Sequence, residues 1–171
     1  MAKKQPQVSI IGIGLLGGSL ARVLKKRGGF RLIGWSPSAS TRTKAKRLLK
    51  IYPRWEDAVR DADVVVLGSP SGVVVPLLRQ ILPFLKSDAL VMDMASVKGR
   101  VARDARSIPG VSRHFVPCHP MAGKEKSGVD YSDESLYVGR KIFLTPYADT
   151  PKPLLKRAVA FWKKTGGQPI L

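Results

Sequence analysis

The glycines of Gly12-Ile13-Gly14-Leu15-Leu16-Gly17 constrain this chain more than any other feature, because of what flanks them. An apolar run over 8–13 leads into them, and a segment with helical spacing over 15–26 leads out. At such a strand-to-helix turn each glycine has a separate task. Gly12 permits the tight turn, Gly14 lets a diphosphate approach the backbone, and Gly17 allows helix and strand to pack closely. The first helical turn, with Leu15 and Leu16, then presents free amide N–H groups and the positive end of its dipole to the phosphates. A glycine-rich turn that holds no ligand is the plainer alternative.

The rest of the chain repeats this alternation. Strand-like runs fall at 31–35, 63–68, 89–93, 115–118, 141–145 and 168–171. Helical spacing covers 41–49, 71–85, 98–108 and 151–164, with one turn of helix around 56–59. Repeated strand and helix predict a doubly wound, mostly parallel sheet with helices on both faces, a Rossmann-type α/β fold. Its length of 171 residues suits one dinucleotide-binding domain over 1–171. Pro76 and Pro83 are expected to kink or shorten the third long helix. Pro117 is expected to place its strand at an edge or to end it early.

The end of the second strand bears on which dinucleotide binds. An acidic residue there would bond the adenosine ribose hydroxyls and repel a 2′-phosphate. None is present in Gly34-Trp35-Ser36-Pro37-Ser38-Ala39-Ser40-Thr41-Arg42. Hydroxyls at Ser36 and Ser38 and the guanidinium of Arg42 suit a phosphate dianion, so NADP is expected ahead of NAD. The competing assignment has Ser40 or Thr41 capping the next helix and Arg42 solvated.

Charge enters next, because 30 Lys and Arg against 12 Asp and Glu leave a formal +18. An anionic partner follows, either a phosphorylated ligand or a polyanion. The basic residues occur as Lys3-Lys4, as Lys25-Lys26-Arg27, at 42–50, at 100–106 and as Lys163-Lys164, mostly on helical segments. Solvated helix faces account for them more simply than a nucleic-acid surface, and no nucleic-acid motif accompanies them. No apolar run approaches the roughly 18 residues of a membrane helix, and the basic start lacks a signal-peptide pattern. A cytoplasmic protein without a membrane partner is the expectation. The lone Cys118 reads as a buried small side chain, and His114 as an exposed loop residue.

Two further segments, Asp93-Met94-Ala95-Ser96-Val97-Lys98 and the loop from Phe115 through His119-Pro120-Met121-Ala122-Gly123-Lys124-Glu125 to Gly128, resemble the prephenate and arogenate dehydrogenases of tyrosine biosynthesis. Spacing and order agree, and the resemblance continues through Leu136-Tyr137 and Leu144-Thr145-Pro146 to Leu171. It implies an oxidative decarboxylation of prephenate or arogenate. His119 is implied as acceptor of the hydroxyl proton, and Ser96 as the serine that holds the same hydroxyl and orients the histidine. A serine capping the following helix is the structural alternative for Ser96. By analogy with related folds, Ser69 and Pro70 lie beside the adenosine and ribose of the cofactor. Lys98 and Glu125 also match family positions, and ion-pair or helix-end roles explain them adequately.

The family follows this domain with a helical one that dimerises and grips the substrate carboxylates. The expectation is therefore a chain that binds NADP and turns over weakly alone, with a homo-oligomer or a separate substrate-domain partner left open. Two other readings stand beside it. One is a stand-alone nucleotide-binding protein with lost or altered chemistry, and the other a basic polyanion-binding module.

Overall fold

Strand β1 (Gln7–Ile11) is buried along its whole length, as a strand must be when it lies mid-sheet with helices above and below. In a computed structural model that describes residues 5–171 it pairs in parallel with β2 (Arg31–Trp35) on one side and β4 (Val64–Leu67) on the other. The basic pair Lys3-Lys4 lies outside the described residues. Adding β3 (Lys50–Ile51), β5 (Leu90–Asp93) and β6 (Phe115–Val116) gives six parallel strands in the order β3-β2-β1-β4-β5-β6. The chain leaves β1 toward β2 and later returns to β4 on its other side. This opens a crevice at the carboxyl ends of the strands, where ligands of doubly wound sheets bind.

Two apolar cores sandwich the sheet. On one face Val8 and Ile10 pack with Leu20 and Leu24 of α1 (Leu15–Arg27) and Trp162 of α6 (Lys152–Lys164). On the other, Ile11 and Val65 pack with Val59 of α3 (Trp55–Val59), Leu78 of α4 (Ser71–Ile81) and Val101 of α5 (Lys98–Arg106). Alternate β1 side chains thus serve opposite cores, the period of two that a strand imposes.

Three boundaries differ from the expectation. Helix α2 occupies Ala39–Ala45, two residues earlier than anticipated at its start. Its cap is Ser38, whose Oγ accepts the Thr41 amide at 3.2 Å, so neither Ser40 nor Thr41 plays that part. Leu48 and Leu49 are buried, and the chain then forms β3, too short for any periodicity to reveal. Helix α4 runs through Pro76 and ends at Ile81, ahead of the 3₁₀ turn that contains Pro83.

The largest difference is at Pro117. One strand was expected over 115–118; instead β6 ends as an edge strand at Val116 and β7 (Cys118–Pro120) begins a second sheet. Proline has no N–H to continue a ladder, so pairing with β5 stops there. Strand β7 pairs antiparallel with β8 (Lys141–Leu144), which pairs in parallel with β9 (Gln168–Ile170). Cys118 is fully buried, as expected. His114 is half-buried rather than exposed, because its Nδ1 lies 3.0 Å from the Ala89 carbonyl. Among the described residues no helix is long and apolar enough to cross a membrane.

Candidate functional site

The glycine turn has the geometry its sequence anticipates. Gly12 takes φ +95°, open to glycine and strained for other residues, and its amide donates to the Trp35 carbonyl at 2.9 Å. A Cβ on Gly17 would stand 2.3 Å from the Gly12 carbonyl oxygen, so helix α1 can approach β1 only without one. A Cβ on Gly14 would meet nothing within 4 Å. The middle glycine therefore borders open space, where a diphosphate needs room. Gly68, at the end of β4, was not singled out from sequence. A Cβ there would lie 2.3 Å from the Gly12 oxygen, so the β1 and β4 ends touch backbone to backbone.

Beside this turn lies a cleft of about 560 Å³, bounded by Gly12 and Gly14, by Ser36 and Pro37 after β2, and by Ser69 and Pro70 after β4. Of these, Pro37 was not anticipated, and sequence reading also missed Trp35, Trp55, Leu77 and Gln80 on the walls. Three of those four are apolar or aromatic and read equally well as core, so the one usable signal was the position of Trp35 at a strand's carboxyl end. A half-open, largely apolar cleft beside a helix N-terminus fits a flat heteroaromatic group joined to phosphates.

The loop after β2 is held by a residue of the helix that follows it. Arg42 Nη1 donates to the carbonyls of Ser36 at 2.6 Å and Pro37 at 2.9 Å, which ties its half-buried side chain to two residues that border the cleft. Ser36 is buried, and Ser38 is engaged as the α2 cap.

Across the crevice, the two candidate catalytic residues follow neighbouring strand ends. Ser96 lies in the loop between β5 and α5 and is exposed. The α5 N-cap position is Val97 and no side chain caps it, so the capping alternative for Ser96 is not realised. His119 is the middle residue of β7, half-buried, opposite Phe143 of β8. Burial lowers its imidazole pKa, Lys98 lowers it further, and Asp93 opposes. A histidine so placed is neutral near pH 7 and has a free lone pair for a proton.

Asp93 and Lys98 form a buried ion pair between β5 and α5. Burial pushes the Asp93 carboxyl up, while Lys98 and two backbone amides favour its charged form. From the second sheet's side, the Tyr137 hydroxyl donates to the Leu16 carbonyl at 2.8 Å and touches Met94 Sδ at 3.3 Å. It thus joins the glycine turn's helix to the segment carrying Ser96. Glu125 is exposed in the loop after β7. Several basic side chains pair locally, Lys26 with Glu134, Lys44 and Arg47 with Asp130, and Lys124 with Asp133, as solvated faces do.

Known proteins resemble this chain in sequence and in fold. The family model described as the prephenate dehydrogenase nucleotide-binding domain matches residues 20–171. A cyclohexadienyl dehydrogenase of Zymomonas mobilis is 31% identical over 166 residues, covering 94% of this chain and 56% of the relative. A prephenate dehydrogenase of Lactococcus lactis is 32% identical over 154 residues, covering 88% of this chain and 44% of the relative. The chain thus spans about half the length of the curated relatives it matches. Among solved structures, prephenate dehydrogenase from Aquifex aeolicus in complex with hydroxyphenyl propionate and NAD+ superposes with a TM-score of 0.89 at 33% identity, over 99% of this chain and 60% of that one. Synechocystis arogenate dehydrogenase gives 0.88 at 31% identity, over 96% of this chain and 59% of that one.

Proposed function

We infer the function of this chain from the family to which it belongs: it is a member of the prephenate dehydrogenase family and corresponds to that family's nucleotide-binding domain. The reading is an NADP-dependent oxidative decarboxylation of prephenate or arogenate, carried out in the cytoplasm. The observation that supports it is that Ser96 follows the end of β5 and His119 follows the end of β6, neighbouring strands of the sheet whose carboxyl ends also carry the Gly12–Gly17 turn.

Gly12, Gly14 and Gly17, with the amides of Leu15 and Leu16, would hold the diphosphate. Ser69 and Pro70 would flank the adenosine side. The bound oxidised nicotinamide supplies the hydride acceptor. His119 takes the proton of the ring hydroxyl as the carbonyl forms, and it returns that proton to the phenolate oxygen once the ring carboxylate has left as carbon dioxide. Ser96, exposed and free of a capping role, holds the same hydroxyl toward the imidazole. Residues 1–171 act as one dinucleotide-binding domain, a reading supported by α6, which packs on β5, β6 and β9 and so joins both sheets.

The preference for NADP rests on the segment after β2, where no carboxylate stands to repel a 2′-phosphate and Arg42 of α2 is bonded to the loop that would meet it. Calorimetry should show NADP binding more tightly than NAD. Arg42→Ala should cost NADP about 1.5–3 kcal/mol, and cost NAD less. Equal affinities would remove the preference. Reduced cofactor followed by absorbance, with prephenate or arogenate in excess, should show slow turnover by residues 1–171, since the matched relatives extend beyond the region they share with this chain. His119→Ala should abolish that turnover and leave cofactor binding intact.

A further inference from the structure

One buried carboxylate reaches both catalytic candidates through their chain neighbours. Asp93 is the last residue of β5 and is fully buried. Its Oδ1 accepts the amide of Cys118 at 2.9 Å, the residue before His119. Its Oδ2 accepts the amide of Ala95 at 3.1 Å, the residue before Ser96, and the ammonium of Lys98. A carboxylate has about four lone-pair sites, and here three go to groups flanking the active residues. Apolar packing can stabilise a core as well as a buried ion pair does, so stability alone does not account for keeping one here. An apolar side chain, however, could not accept two backbone amides, one from the loop after β5 and one from β7.

We propose that Asp93 is the positioning residue of this site, fixing the Ser96 loop and the His119 strand to each other by accepting the amides of Ala95 and Cys118, with Lys98 as its counter-ion. The inference rests on the dehydrogenase reading for the roles of Ser96 and His119. Asp93 fills the gap left where Pro117 ends the pairing of β6 with β5, because Cys118 N–H would otherwise be a buried donor without a partner. One side chain thus supplies the acceptor that the ended strand pairing no longer provides.

The same pair acts on the imidazole. The charged groups that influence His119 are Lys98 from α5 and Asp93 from β5, with opposite signs, and its cross-strand partner on β8 is the uncharged Phe143. Lys98 is the stronger, so removing either charge should move the histidine in a known direction.

The test is a nuclear magnetic resonance titration of the whole chain. It contains two histidines, so His114→Gln assigns the His119 signal. Lys98→Met should raise the His119 midpoint, Asp93→Asn should lower it, and the paired variant should fall between. Hydrogen exchange supplies the positional readout. In Asp93→Asn the single side-chain carbonyl can keep only one of the two partners, so the Ala95 or the Cys118 amide should exchange about tenfold faster, the loss expected for one hydrogen bond of ordinary strength, while Val91 and Met92 keep their protection. Should Asp93→Asn not fold, Lys98→Met against Lys98→Arg decides, with Arg restoring the parent midpoint. A His119 midpoint unmoved in the folded variants, or unchanged exchange at Ala95 and Cys118, overturns the proposal. None of these readouts needs cofactor or turnover. Failure to reduce NADP would therefore count against the dehydrogenase reading and leave the Asp93 result standing.

Discussion

At the glycine turn the chain brings its backbones together by leaving side chains out, whereas at the β5–β7 junction it joins two segments by burying a charge. Gly12, Gly17 and Gly68 let backbones meet where a Cβ would stand 2.3–2.8 Å from the neighbouring chain, and the surface left to a ligand is backbone N–H and open space at Gly14. Asp93 is the opposite case, a fully buried carboxylate whose two oxygens bind two amides and an ammonium. A cradle of backbone fails by overcrowding. A buried ion fails by loss of any one partner. The two regions should therefore respond to substitution in different ways.

The largest effect is expected at Asp93. Asp93→Ala strands the Lys98 ammonium, whose side chain is 11% exposed, and leaves the Ala95 and Cys118 amides without their acceptor. Removing one partner of such a pair costs about 3–5 kcal/mol, and urea unfolding should register it as a fall in midpoint. A loss below about 1 kcal/mol would mean that the junction tolerates rearrangement as the glycine turn does not.

Next come the glycines, which should separate folding from binding. Gly17→Ala places a methyl group 2.3 Å from the Gly12 oxygen, and should cost about 2–3 kcal/mol as α1 is pushed off β1. Gly14→Val meets only open space, so stability should change by about 1 kcal/mol or less. Calorimetry should nonetheless find dinucleotide binding lost in Gly14→Val. Normal affinity in that variant would show that the diphosphate does not occupy the space beside Gly14.

The smallest effect is that of His119 on the pH dependence of stability. Burial first, then Lys98, holds its pKa below the ordinary 6.5, with Asp93 opposing. The unfolded chain therefore takes up this proton before the folded one does. Its contribution is present above about pH 6.5 and is lost as the pH falls through the lowered folded value. His119→Gln should flatten that part of the curve, read as the difference in urea midpoints between variant and parent across the window. Parallel curves would place the imidazole in water and remove the electrostatic side of the contrast.

The two regions were also unequally legible. The turn is a local object, in which glycine spacing, flanking strand and following helix all fall within the first 26 residues, so one stretch of sequence shows it whole. The strand succession was legible for the same reason, since buried parallel strands are short apolar runs. The walls of the cleft were not, because Trp35, Trp55 and Leu77 have the composition of core and only their placing makes them lining. Arg42 is legible as a basic side chain close to the end of the second strand. That it donates to the Ser36 and Pro37 carbonyls depends on how α2 begins, two residues earlier than its periodicity indicates.

By itself the sequence determined the α/β alternation, the cradle of glycines, the missing acid after β2, and the two segments that resemble the dehydrogenases. Each is a property of neighbours along the chain, which backbone sterics and side-chain period translate directly into structure. Only the tertiary structure decided that the strand at 115–118 breaks at Pro117 into two sheets, and that the freed Cys118 amide turns to Asp93, 25 residues away. The physical reason is that a buried donor must find an acceptor. Which acceptor it finds depends on which strand ends beside it, and that is set by packing across the sheet, not by any local pattern.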